Sequence, residues 1–209
     1  MPATQISKAE IVKIALQNFI RSGIQHFTIK QLTEITSISS KTVYKLFGDK
    51  TGLLKACLTL HYVTLYQELR RLLANANNEI ESITSLIDHI VKLEFEVNPR
   101  FYNELNKYHP ELQSEIIAAH GDLSPHINNI IAKGKENGIF LTNINAGVFI
   151  LTIQHLYQGI TRELKYTDFN LSGRELVRNT VIVYVRGICT PKGLDLLQQT
   201  EYSTFKNVK

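Results

Sequence analysis

Between Phe27 and Leu53 the sequence reads FTIKQLTEITSISSKTVYKLFGDKTGL, and its polar side chains are grouped in a way that suits a polyanion. Ser39, Ser40, Lys41, Thr42, Tyr44 and Lys45 crowd around a single apolar residue, Val43. Hydroxyls of this kind reach base edges and phosphate oxygens, and lysines neutralise phosphate. Lys41 and Lys45 are one helical turn apart, while Val43, Leu46 and Phe47 follow the i, i+3, i+4 rule of a buried stripe. A short helix held down by that stripe, with hydroxyls and lysines outward, fits the major groove of DNA. Thr28 and Lys50 are predicted at the starts of two further helices, where backbone amides also favour phosphate.

The neighbouring residues supply the elements that would hold this face in place. Thr28 opens a Thr-x-x-Gln box with Gln31, which predicts a capped helix on which Leu32 and Ile35 give an apolar face. Thr36 and Ser37 compete for backbone hydrogen bonds and end it. Ser39 is a good N-cap for the next helix, and Asp49 for the long one after that. Upstream, Ser7 and Glu10 form another capping box. Ile11, Ile14, Ala15 and Phe19 then give an apolar face, and Gly23 closes the helix.

On these residues the stretch resembles the helix-turn-helix of the TetR family of transcriptional regulators. The resemblance is carried by Thr28, Ile38-Ser39, Thr42-Val43-Tyr44, Leu46-Phe47 and Lys50-Thr51-Gly52-Leu53. Three positions depart from the family pattern: Thr33 stands for the usual Ala, Ser37 for the usual turn Gly, and Leu46 for the usual aromatic. The resemblance implies that Tyr44 and Lys50 hold backbone phosphates. It also implies that the last two long helices form a four-helix dimer interface and that the C-terminal part holds an inducer pocket.

Charge agrees with the placement of this face. Residues 1–55 hold eight Lys or Arg against three acids, a surplus of five, while the rest of the chain is close to neutral within an overall +4. A basic segment beside a groove-sized helix is the electrostatic footprint of nucleic-acid binding. Other chemistries lack their residue patterns. The two cysteines, Cys57 and Cys189, have neither metal spacing nor a disulfide framework and are expected buried and inert. The seven histidines form no His-x-x-x-His or Glu-x-x-His pair, so no metal site is expected. No Gly-rich phosphate loop or Gly-x-Ser-x-Gly is present, so neither an enzyme nor a cofactor is expected. No apolar run of about 18 residues predicts a membrane span, and the N-terminus has no signal pattern, so the expected compartment is the cytoplasm.

Beyond the motif the periodicity stays helical. A long helix is expected from Asp49 to about Asn75, with His61 in its apolar stripe beside Leu58 and Leu65. Further helices are expected at 79–97, 103–108 and 110–136, the last broken near Gly121 and Ser124-Pro125. Residues 144–163 and 172–188 are apolar on more than one side, which predicts burial on two sides, against this chain and most simply a second copy, the alternative being that both helices are central in a monomer. Val148, Leu151, Val181 and Val185 are the expected contact residues. A short helix at 194–199 ends the chain. Within 79–164, His89, Phe95, Tyr102, Tyr108, Gln154 and Tyr157 set polar and aromatic groups among apolar ones, the make-up of a small-molecule site.

The sequence therefore predicts an all-α protein of about nine helices. Residues 4–64 would form a three-helix DNA-binding domain with its motif at 28–47, and residues 65–209 a ligand-binding and dimerisation domain. The expected function is that of a homodimeric regulator, a repressor released from a near-palindromic double-stranded DNA operator by a small, largely apolar effector. The alternative is a helical ligand-binding or interaction protein that does not act on DNA.

Overall fold

The computed structural model describes residues 6–120, 123–161, 163 and 165–205, without the side chains of 94–96, 161, 167 and 201–205. Gly121, named above as a break point, lies outside the described residues. The regular structure of the described residues is helical, apart from one antiparallel bridge between Phe140 and Cys189.

Local signals set most of the boundaries. Helix α1 (Lys8–Ser22) begins at the expected Ser7–Glu10 box and stops at Gly23, whose φ of 91° suits glycine. Helices α2 (Ile29–Thr36) and α3 (Ser40–Phe47) follow, and α4 runs from Lys50 to Asn75. At 26 residues α4 is about 40 Å long. Helices α5 (Glu79–Glu96), α6 (Pro99–Tyr108), α7 (Pro110–His120), α8 (Ser124–Glu136) and α9 (Ala146–Thr161) come next. A 3-10 turn at Thr167–Phe169 precedes α10 (Gly173–Val177), which continues through a π-helical turn (Arg178–Ile182) into α11 (Val183–Gly187).

Helix α12 (Pro191–Phe205) is longer than its sequence suggests. The sequence reading gives a helix over 194–199 only. Instead Pro191 takes the first helical position, and the Thr190 hydroxyl accepts from the Gly193 amide at 3.2 Å, capping the helix. Gly193 is required there, because a Cβ would come within 2.3 Å of the Ile139 carbonyl oxygen.

The chain divides into two compact units. Met1–Gln67 and Val97–Asp122 make the first, Glu68–Glu96 and Leu123–Lys209 the second. In the first, Ile11, Ala15, Phe19, Leu32, Val43, Leu53, Leu54 and Leu58 form a closed core. Helix α6 returns to α1. The Asn98 amide donates to the Ile20 carbonyl at 3.0 Å, its side-chain amide donates to the Arg21 carbonyl at 3.1 Å, and Glu104 accepts from the Gln25 amide at 2.7 Å. The second unit packs Val91, Ile160, Leu176, Val177, Val181 and Ile182 into one cluster. Among the described residues no helix is long and apolar enough to cross a membrane.

Candidate nucleic-acid interface

The site is built from α2, the turn after it, and α3. The Thr28 hydroxyl accepts from the Gln31 amide at 3.2 Å, and Gln31 Oε1 accepts from the Thr28 amide at 2.8 Å. At the far end of α2 the Thr36 hydroxyl turns back to the Leu32 carbonyl at 2.6 Å. Ser37 then takes the left-handed conformation, φ 56° and ψ 23°, which favours glycine. This one residue reverses the chain so that α3 starts at an angle to α2. The Ser39 hydroxyl caps α3 by accepting from the Thr42 amide at 3.1 Å and also pairs with the Thr42 hydroxyl at 2.9 Å.

Val43 anchors the back of α3 and is fully buried, with Leu46 and Phe47 half-buried beside it. Lys8 of α1 lies over the Phe47 ring, 5.3 Å from its centroid. Ser39, Ser40, Lys41, Thr42, Tyr44 and Lys45 are all exposed, Tyr44 to 51%. Helical geometry sets Lys41 and Lys45 nearly opposite Val43, with Tyr44 and Thr42 on either side. Helix α3 has no acidic residue, so nothing on it offsets the two lysines. Thr28 is exposed at the N-terminus of α2, with its hydroxyl already engaged in the cap.

The turn into α4 is tightly determined. Gly48 has φ 81°, and the Asp49 carboxylate accepts from the Gly52 amide at 2.7 Å. A Cβ on Gly52 would lie 2.0 Å from the Phe47 carbonyl oxygen, so only glycine lets α4 start this close to α3. Sequence reasoning treats Gly52 as one member of a motif and misses this requirement. Lys50 sits in the first turn of α4 and is half-buried. Burial pulls its ammonium below the ordinary lysine range, and the Glu104 carboxylate opposes that. His109 is held low by burial and then by the Lys50 charge. Lys50 thus lies within electrostatic reach of Glu104 on α6 and of His109.

The expected small-molecule residues fall in both units. Tyr102 and Tyr108 belong to the first unit, His89, Gln154 and Tyr157 to the second. The side chain of Phe95 lies outside the described residues. Tyr108 is 51% exposed, with Lys107 Nζ over its ring, and Gln154 lies on the solvent side of α9. Tyr102 is buried edge-on against Phe101. Tyr157 donates its hydroxyl to the Ile90 carbonyl at 2.8 Å, and His89 Nε2 lies 3.0 Å from the Glu68 carboxylate.

The four residues expected between two copies divide as well. Val148 and Leu151 are open at 58% and 54%, whereas Val181 and Val185 are buried at 1% and 0%. Val181 and Val185 therefore belong to this chain's own core. A helix apolar on every side does not reveal from sequence which side faces inward, and the large apolar residue exposed on α11 is Val183. Among the described residues no three His, Cys, Asp or Glu side chains are placed to hold a metal ion.

No family model matches the sequence. Over 131 residues it is 27% identical to a probable DNA helicase II homolog of Mycoplasma capricolum subsp. capricolum, a match covering 59% of this chain. The match spans only 18% of that much longer protein. Among solved structures, a protein of unknown function from Rhodococcus sp. RHA1 superposes with a TM-score of 0.71 at 19% identity, over 91% of this chain and 100% of that one. A TetR transcriptional regulator from Chloroflexus aurantiacus J-10-FL superposes with a TM-score of 0.67 at 16% identity, over 85% and 91% of the two chains. At these identities the likeness is one of fold: the chain has the all-helical fold of TetR-type transcriptional regulators.

Proposed function

We propose that this chain is a DNA-binding transcriptional regulator and not an enzyme. In this reading residues 4–64 bind DNA, residues 65–209 regulate and dimerise, and the protein works in the cytoplasm. The observation that carries the reading is the exposed, acid-free face of α3, with Lys41 and Lys45 outward and Val43 fully buried behind them. Phosphate contacts by Lys50, Tyr44 and the amides at the starts of α2 and α4 would fix the register. Lys41, Lys45 and the hydroxyls of Ser39, Ser40 and Thr42 would face the groove.

Regulation follows as a population shift. A ligand that binds better to one arrangement of the helices than to the other moves the equilibrium by its differential affinity. Lowering operator affinity a hundredfold needs a coupling of about 2.7 kcal/mol. The near-neutral balance of charge beyond residue 55 favours a small, largely apolar effector over a polyanion. The sign assigned here is repression.

Fluorescence anisotropy on DNA flanking the gene tests the reading. Lys50→Ala should weaken binding to all sequences and flatten the salt dependence by about one unit of slope. Lys41→Ala should change the preference among operators. Wild-type binding by both variants would show that this face is not the one that meets DNA. No salt-sensitive DNA binding at all would leave the chain as a helical ligand-binding or interaction protein.

A further inference from the structure

Helix α1 sends one lysine to the edge of the α3 face. Lys8 is exposed, and its Nζ stands over the Phe47 ring, 5.3 Å from the centroid. The negative face of an aromatic ring attracts a cation, so the ring holds in one place an ammonium that otherwise swings on a flexible stem. The position of Phe47 on α3 says where that place is. Phe47 is three residues after Tyr44 and four after Val43, so it neighbours both. Side chains on a helix lean toward its N-terminus, which brings the ring back over the turn that carries them. Val43 is buried and Tyr44 exposed. Leu46, by the same count, belongs with Val43 and Thr42 on the other flank. Lys8 therefore stands on the Tyr44 flank of α3, where the buried back meets the open front.

No acid offsets the charge of Lys8 there. Lys30 and Lys55, also in the first unit, each have a carboxylate at hand: Lys30 Nζ is 4.0 Å from Glu34, and Lys55 Nζ is 2.8 Å from Glu115. Among the described residues Lys8 forms no ion pair. Glu10, the acid nearest to it in sequence, accepts instead from the Ser7 amide at 2.8 Å. Helix α3 itself has no acidic residue. An ammonium carries three N–H donors and the ring covers one side of it, so donors remain for an incoming oxygen.

We propose that Lys8 is a further phosphate-binding residue of this chain, held by the Phe47 ring beside the phosphate that Tyr44 takes. The inference rests on the DNA-binding reading above and adds α1 to the helices that touch the duplex. Phe47 lies on the far side of α3 from Lys41 and Lys45, so Lys8 meets the strand beside the groove and not the base edges inside it. Such a contact positions the protein and carries no sequence information.

The test is fluorescence anisotropy with the full chain over a series of salt concentrations, on two duplexes: DNA flanking the gene, and a scrambled sequence of equal length. Lys8→Met keeps an unbranched stem against the ring and removes the charge. Its plot of log affinity against log salt should be flatter than that of the wild type by about one unit of slope. Binding to both duplexes should weaken by the same factor, roughly five- to tenfold near 0.1 M salt. Lys8→Arg keeps the charge and should retain the wild-type slope. The slope is the deciding measurement, because a lysine that only steadies Phe47 would lower the melting temperature on removal and leave the slope unchanged. The proposal is overturned if Lys8→Met keeps the wild-type slope, if its loss is confined to one duplex, or if Lys8→Arg binds as weakly as Lys8→Met. A wild type with no salt-sensitive binding overturns the DNA-binding reading and this inference together. A wild type that binds, with an unchanged slope for Lys8→Met, overturns this inference alone.

Discussion

Burial decides what the two thiols can do. It pushes Cys57 up to about 12 and Cys189 to about 11, Arg186 opposing only part of the latter shift. Cys57 Sγ lies 3.5 Å from the Val12 carbonyl and Cys189 Sγ 3.2 Å from the Val185 carbonyl, so both are also tied to backbone. Because the thiolate is the reactive form, neither cysteine should react with an aromatic disulfide reagent in the folded protein, and both should react on unfolding. Fast modification of the native protein would contradict this. His61 responds to pH in the opposite sense. Its folded value is lowered from 6.5 to about 4, so between these values the unfolded chain binds the extra proton. Its effect on stability is nil above pH 6.5, grows as pH falls through the window, and levels off below about 4, with a slope of at most about 1.4 kcal/mol per pH unit. Melting curves of His61→Leu and wild type should therefore diverge as the pH is lowered from neutrality, the wild type losing more. Parallel curves would mean that the imidazole titrates normally.

At the scale of the element, what was legible in the sequence is what is local. The boxes at Ser7, Thr28 and the cap at Ser39 join residues three apart, and all form as read. The turn after α2 was legible too, except for its cost. Ser37 holds φ 56° without being glycine, which strains an L-residue. Ser37→Gly should then stabilise the protein by up to about 1 kcal/mol, the relief of strain exceeding the entropy that glycine loses. Ser37→Val should destabilise it, since a β-branched side chain tolerates that conformation worst. Chemical denaturation of the pair gives the answer, and equal midpoints would mean that the turn can relax. Long-range contacts left no comparable trace. Asn98 and Glu104 reach the end of α1 and the loop after it across 77 and 79 residues. Gly134 makes room for the Phe140 ring, which a Cβ would meet at 2.1 Å, yet in sequence it is only a glycine inside a helix. The exposure of two of the expected ligand residues has the same origin. Their types suggest a cavity, but only the fold decides that Tyr108 and Gln154 face water.

At the scale of the whole molecule, the question is what covers the open side of α9 and α11. Phe149 and Tyr184 stack between these helices at 5.5 Å, and the residues just before them, Val148 and Val183, are 58% and 57% exposed. With Leu151 they leave three large apolar side chains in water on helices whose other sides are already buried. Apolar surface grouped in this way marks an interaction site more often than it is left bare. A second copy of the chain is the partner that a two-headed DNA reader needs, because half-sites lie about 34–36 Å apart, one turn of the duplex. Leu151→Asp and Val183→Asp should then yield a folded monomer with native helical content and much weaker operator binding. Val181→Asp should behave differently. It places an unpaired charge in the core of one chain, a cost of several kcal/mol, and should abolish folding rather than assembly alone. Light scattering and circular dichroism at micromolar concentration separate these outcomes. A monomeric wild type, or a Val183→Asp variant that stays dimeric, would move the partner surface away from these helices. The contrast between positions 181 and 183 makes the test specific, since two residues on one helical segment receive the same charge and only one of them faces outward.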